Sequence, residues 1–206
     1  YWFTPWLFVG LALAVVGGFL VLPFFATLRL SVTDATLLRP GQFIGLENFE
    51  SLFGDPRFRT ALLNSSLYVV CVVPFMLVLP LVLAALLAKK GPLIGFFRTS
   101  MYLPVVMSSV VVGLIWTSLL DKRGLINELF ATLNWITEPI PFLTDRWLLL
   151  FSAMCVTVWT GLGYYMVIYL SALANIDPSL YEAAEIDGAG TVKQFLHVTM
   201  PGVRST

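Results

Sequence analysis

The ionisable residues that could do work in this 206-residue chain are Glu182, Glu185 and Asp187, in the run Tyr181-Glu182-Ala183-Ala184-Glu185-Ile186-Asp187-Gly188-Ala189-Gly190. The chemistry open to them is charge pairing. Glu182 offers a carboxylate that an Arg or Lys on another protein could meet, and losing one partner of a desolvated pair costs about 2–5 kcal/mol of association. The same three residues also make an ordinary solvated helix face. Covalent chemistry is poorly supplied. The single histidine, His197, lies in the same polar segment and reads as a surface or interface residue. Cys71 and Cys155 fall inside apolar runs and read as small buried hydrophobes, without disulfide or metal-ligand spacing. An intramembrane protease needs a Ser/His pair or two Asp residues within its apolar stretches, and there is no such set. No phosphate-cradling lysine loop is present either. The Gly161-Leu162-Gly163 run does not lie at a strand–helix junction and reads as a site of close helix packing.

The elements that must position the carboxylates follow from local signals. Asp177-Pro178 is a cap followed by a proline at the first helical position, which predicts a helix from about Pro178 through Tyr181, Ala184 and Glu185. Gly188 and Gly190 are expected to stop it, since glycine tolerates the left-handed backbone at a helix C-terminus. Thr191-Val192-Lys193-Gln194 fits a capping box, with Gln194 three residues after Thr191, so a second short helix should carry Phe195 and Val198 on one face. Pro201 should end it or open another element. The expected product is two short helices held at an angle by a glycine corner. Ala183, Ala184 and Ala189 are small enough to let a partner's backbone approach.

Behind this elbow the chain is dominated by apolar residues. Hydrophobic residues make up 58% of it and charged residues only 12%, about half the charged share of a soluble domain, so lipid is the solvent for most of its length. The formal net charge is zero and no basic face is visible, which argues against nucleic acid as a partner. Four runs, roughly 6–28, 62–88, 100–120 and 147–174, contain no Asp, Glu, Lys, Arg or His. At ~1.5 Å per residue each can cross ~30 Å of hydrocarbon. The expected fold class is all-α, a polytopic transmembrane helical bundle with a polar helix–turn–helix at 177–201 and connections at 29–61 and 121–146. From its first residue and its abrupt end, the sequence reads as a piece of a longer protein.

Lys89, Lys90 and Arg98 form the densest short basic link, while Arg29, Arg39, Arg57, Arg59, Lys122, Arg123 and Arg146 are spread over longer connections. The basic link is therefore expected in the cytoplasm, which places the residue-1 end and everything after Asn175 there too. In the first external connection, Leu46, Phe49 and Phe53 share a helical face, which predicts a short helix at the interface, and Asp55-Pro56 predicts the start of the next helix. Trp2, Trp6, Trp135 and Trp147 lie near span ends, where belt anchoring is the simpler role and sugar stacking the alternative. Pro23, Pro74, Pro80 and Pro104 lie inside spans and mark either irregular packing or a hinge or cavity wall.

The elbow also carries a resemblance. Glu182-Ala183-Ala184, three residues, Gly188, nine residues, then Val198-Thr199-Met200-Pro201 resembles the cytoplasmic loop of the permease subunits of ABC importers, with Val198 for the usual Ile and Met200 for the usual Leu. Gly45-Leu46-Glu47-Asn48-Phe49, Phe97-Arg98, Leu103-Pro104, Ile115-Trp116, Gly124-Leu125-Ile126-Asn127, Ser171-Ala172-Leu173 and Ile176-Asp177-Pro178 look like landmarks of its carbohydrate-type branch, the maltose and glycerol-phosphate permease group. The resemblance implies a type I importer permease of about six spans, two of them following Pro201, in the cell membrane of a prokaryote. It implies four partners besides lipid: a homologous second permease, two ATPase subunits and an extracytoplasmic solute-binding protein. It implies no cofactor on this chain, with ATP and Mg on the ATPases. Contact with an ATPase then falls to Glu182, Ala183, Ala184, Asp187, Gly188, Ala189 and Pro201. A solute path could draw on Asn64, Ser65, Ser66, Trp116, Trp159, Tyr164 and Tyr165, all of which could equally pack between helices. A proton- or sodium-coupled carrier is the alternative. Carriers of that kind often hold ionisable groups within the membrane, and none occurs in the four runs.

Overall fold

The computed structural model describes residues 3–36, 38–88 and 91–204. Trp2 of the expected aromatic belt and Lys89 and Lys90 of the basic link lie outside them. Among the described residues the regular structure is helical, and the β pairing consists of two isolated bridges, Thr33 with Phe43 and Thr36 with Arg39. The chain forms two compact units, Tyr1–Leu63 and Asn64–Thr206.

The first unit begins with α1 (Thr4–Val16), a π-turn (Gly17–Val21) and α2 (Leu22–Ser31), which run on as one helical rod. The π-turn has a local cause. Pro23 has no N–H, and its ring crowds the carbonyl four residues back, that of Phe19. Leu22 N–H instead reaches back five residues to the Gly17 carbonyl, which opens the turn just where the ring must fit. A bridged loop then leads to α3 (Glu47–Gly54), and α4 (Pro56–Leu87) starts in this unit. Asp55 Oδ1 accepts the Arg57 N–H at 2.8 Å and caps α4, as the Asp-Pro pair predicts.

The second unit holds the rest of α4, then α5 (Ile94–Val106), α6 (Ser109–Leu120), α7 (Leu125–Thr132), α8 (Arg146–Ala174) and the polar C-terminal segment. Among the described residues three unbroken helical stretches are long and apolar enough to cross a membrane: Phe8–Ser31, Pro56–Leu87 and Arg146–Ala174. The run 100–120, read from the sequence as one crossing, is broken within itself: Ile94–Val106 meets Ser109–Thr132 at 101°, and the bent pair taken together is long and apolar enough to make a fourth. Pro104 removes a donor in the last turn of α5, and Met107 and Ser108 then take extended backbone (ψ 143° and 135°), so the α ladder cannot continue. Pro74 and Pro80 lie within α4, which stays helical around them, and Pro80 is fully buried.

Interhelical contact centres on α5 against α8. A Cβ on Gly163 would lie 2.7 Å from Tyr102 Cα and 2.9 Å from the Met101 carbonyl carbon, so only glycine lets these backbones come this close. A Cβ on Gly161 would likewise meet the Met76 side chain, 3.0 Å from its sulfur. Close packing is what the Gly-Leu-Gly run does. Met166 and Ala84 are fully buried, whereas Cys71 and Cys155 are exposed on the chain. The expectation that both cysteines are buried in protein is therefore corrected. An apolar run in a lipid-solvated helix has no need to turn every apolar residue inward. Arg98, one of the cations of the basic link, donates to the Leu87 carbonyl at 2.5 Å and 3.2 Å and so covers the C-terminal end of α4.

Candidate functional site

The polar segment after α8 folds as a closed elbow. Its first arm is α9 (Pro178–Ile186), capped by Asp177, whose Oδ1 accepts the Ser179 N–H at 2.9 Å. This bond and a side-chain bond from Ser179 hold the Asp177 carboxyl below the usual carboxylate range. The corner is Gly188, with φ +73°, while Ala189 N–H returns to the Ala184 carbonyl at 2.8 Å. Only three residues, Asn175 to Asp177, separate the elbow from α8.

The second arm differs from its sequence reading in three respects. Gly190 takes an ordinary negative φ (−68°) and precedes α10 (Thr191–Gln194) as its cap residue, so Gly188 alone supplies the left-handed corner. Thr191 does not cap by its side chain. Gln194 Nε2 donates across the corner to the Ala189 carbonyl at 3.1 Å, so the expected capping box is replaced by a tie between the two arms. The helix carrying Phe195 and Val198 is a π-turn (Phe195–Thr199) followed by the short α11 (Met200–Gly202). The cause matches that in the first unit: Met200 N–H reaches back to the Phe195 carbonyl, and Pro201 follows immediately.

Two contacts close the elbow at its base. Tyr181 Oη and Thr199 Oγ1 are hydrogen-bonded at 3.0 Å, with Thr199 buried. Gly202 lies against Ile176, where a Cβ would come within 2.7 Å of Ile176 Cδ1. The chain thus leaves the elbow beside the point where it enters. A cleft of about 300 Å³ remains between Ala85 of α4, Ala88 just beyond its end, Leu173 of α8, and Tyr181, Gln194 and Phe195. The residues selected from sequence lie on the outside: Glu182, Ala183, Asp187, Gly188 and Pro201 are exposed, and Ala184 and Ala189 half-buried. Ile186 (86% exposed) and Val192 (72%) stand uncovered beside them. His197 is exposed, with Nδ1 donating to the Lys193 carbonyl at 3.0 Å.

The residues proposed for a solute path are dispersed. Tyr164 and Tyr165, edge to face at 5.3 Å, line an open groove of about 480 Å³ against the α5–α6 bend, which contributes Pro104, Met107 and Ser109. Trp116 and Trp159 pair edge to face at 5.4 Å, outside the groove lining, with Trp116 Nε1 buried and lacking a hydrogen-bond partner. Asn64 Oδ1 accepts from Arg146 at 2.8 Å, and Ser65 and Ser66 are exposed. The groove also takes Thr157, Thr160 and Gly161, which sequence reading did not select as lining. The signal was available: Thr157, Thr160, Gly161 and Tyr164 recur at i, i+3, i+4 and i+7, one stripe of a helix.

Comparison with known proteins agrees with this geometry. The family described as "Binding-protein-dependent transport system inner membrane component" matches residues 53–206. The lactose transport system permease protein LacF of Rhizobium radiobacter is 37% identical over 95% of the chain and 66% of its own length. The diacetylchitobiose uptake system permease protein NgcF of Streptomyces coelicolor is 31% identical over 97% and 60%. The chain therefore spans about two thirds of the length of the curated relatives it matches. A bacterial ABC transporter involved in the import of the acidic polysaccharide alginate superposes with TM-score 0.80 at 23% identity, over 96% of this chain and 68% of the other, which shows a shared fold.

Proposed function

The chain belongs to the family of binding-protein-dependent transport system inner membrane components, and from that premise we propose that it is the membrane-spanning permease subunit of an ATP-driven importer. The solute is a sugar or sugar-like compound, a reading supported by the names of the lactose and diacetylchitobiose permeases it resembles. The chain forms half of the translocation path, beside a homologous permease. An extracytoplasmic binding protein delivers the solute. Two ATPase subunits bind ATP and magnesium, and the elbow lies on the cytoplasmic side.

One observation carries this reading: a closed, doubly tied elbow with exposed apolar and acidic residues, joined to the 29-residue α8 with only three residues between them. Force applied to α9 has little slack to take up before it reaches α8. ATP-driven closure of the ATPase pair moves the elbow, α8 follows, and the path at the α5–α6 bend opens on alternate sides. Glu182, Ala183, Ala184, Asp187, Gly188 and Ala189 face the ATPase, and Pro201 holds the exit geometry. Of the residues selected for a solute path, Tyr164 and Tyr165 line the groove at the α5–α6 bend and are the ones assigned to it.

The test is uptake and ATP hydrolysis measured side by side in proteoliposomes holding the full complex. Glu182→Ala and Gly188→Pro are expected to abolish uptake and uncouple it from hydrolysis. Full coupling in Gly188→Pro would end the proposal. Uptake that persists in the presence of a proton uncoupler and fails on ATP depletion separates this reading from an ion-coupled carrier.

A further inference from the structure

We propose that α3 is an in-plane membrane anchor, its apolar face embedded in the phospholipid leaflet at the surface where α2 ends and α4 begins. The sequence alone predicts a short helix at the interface, with Leu46, Phe49 and Phe53 on one face. The structure adds that it is pinned at both ends. At its start, Asn48 Nδ2 donates to the Ser31 and Thr33 carbonyls, at 3.0 Å and 2.9 Å, and ties the first turn of α3 to the end of α2. At its end, the Phe53 carbonyl accepts from Arg59 Nε at 2.6 Å, and Phe53 stands edge-on to Phe58 at 5.5 Å. A helix of about 12 Å is thereby strung between the termini of two membrane-crossing rods and cannot leave the surface on which they end.

On this helix the residue types divide cleanly. At 100° per residue, Leu46, Phe49, Leu52 and Phe53 fall on one arc, and Glu47, Glu50 and Ser51 on the other. The four apolar residues are 66%, 37%, 41% and 56% exposed. Lipid is the occupant that the geometry supports, because the apolar face is continuous with the flank of α4. Phe53 contacts Phe58, and Leu62, one turn further along the same side of α4, is 51% exposed. Along the Phe53–Phe58–Leu62 side the hydrocarbon that solvates α4 reaches α3. The Arg59 guanidinium, at the junction of the two helices, then lies at the depth of the lipid phosphates, where a cation is favoured. The anchor fixes how deeply α2 and α4 sit in the leaflet. It does not rest on the coupling role of the elbow.

The experiment uses the full-length permease in its assembled complex, with Cys71→Ala and Cys155→Ala, reconstituted in vesicles of phosphatidylethanolamine with a minority of phosphatidylglycerol. Single nitroxide labels are placed from 46 to 53. The expected result is a helical alternation: oxygen-accessible labels at 46, 49, 52 and 53, and labels accessible to a water-soluble nickel chelate at 47, 50 and 51. Nickel access at the apolar positions overturns the proposal, as does shielding of those positions from both reagents, which marks a protein partner. A carbene-generating phospholipid probe applied to the unlabelled wild-type complex keeps the test independent of substitution. Adducts within 46–53 are expected, and their absence overturns the proposal.

Discussion

The two ends of α8 solve the same problem in opposite ways. At the N-terminal end, Asp145 caps the helix by accepting from Trp147 N–H and Leu148 N–H, both at 2.9 Å. The connection before it closes on one side chain: Asn127, 3% exposed, donates to the Asp121 and Ile140 carbonyls and accepts the Ile140 N–H. That region satisfies the polar groups of its one buried amide from within. At the C-terminal end, the elbow is just as well tied internally, yet it leaves Ile186, Val192 and a carboxylate face uncovered. Both regions leave apolar side chains open, Leu125 and Trp135 before α8 as well as Ile186 and Val192 after it. The difference lies in how each is held: one buried amide closes the connection, whereas the elbow is tied at both its corner and its base.

The largest expected effect tests the self-satisfied end. Asn127→Leu removes three hydrogen bonds at about 1 kcal/mol each, about 3 kcal/mol in all: the Asp121 and Ile140 carbonyls keep the Gly124 and Phe142 N–H groups, and the Ile140 N–H loses its partner. Hydrogen exchange should rise from 121 to 145 and stay unchanged in the elbow. A rise in both would break the contrast. Next, Gly163→Val drives a branched side chain into the Met101–Tyr102 backbone, and strain of this kind costs about 1–3 kcal/mol. The melting temperature of the purified complex should fall, and an unchanged value would show that α5 and α8 are looser than the geometry describes.

The elbow supplies the smaller effects on stability and the sharper ones on function. Gly188→Val forces a β-branched residue to φ +73°, costing about 1–2 kcal/mol locally, while Gly188→Asn should be tolerated. If the corner conformation is what counts, uptake per ATP drops in the first variant and survives in the second. Equal losses would assign the effect to the side chain. The smallest effect concerns the cap. Because the Asp177 carboxyl titrates below its ordinary range, its contribution is complete above the unfolded-state value and is lost as pH falls through the folded one. Protection of the first turn of α9 should therefore decline in acid, and Asp177→Asn should remove most of that pH dependence.

The elbow was the part most legible beforehand, since its signals are local. Asp177-Pro178 and Asp55-Pro56 act within one turn, and each starts the helix it predicts. The errors came where local signals competed. Thr191 and Gln194 matched a capping box, yet Gln194 found the Ala189 carbonyl, which the fold of the corner had brought close. Gly190 was read as a second left-handed stop, although one such residue completes the turn. In the solute path, aromatic type was a weaker guide than position: Tyr164 lies in the groove, Trp116 and Trp159 pair outside its lining, and the threonines that line it went unselected.

What the sequence determined by itself was the solvent, the helical rods, the caps and the spacing of the elbow. Each of these depends on composition or on residues within a few positions of one another. What the tertiary structure decided was non-local: the 101° break at Met107–Ser108, the seating of Gly163 against the Met101–Tyr102 backbone, the Asn127 closure, and the meeting of Ile176 with Gly202. The physical reason is that lipid makes almost any apolar face acceptable on a spanning helix. Hydrophobic patterning then says that a helix spans, and only close approach of small residues and satisfied polar groups says which side meets which neighbour.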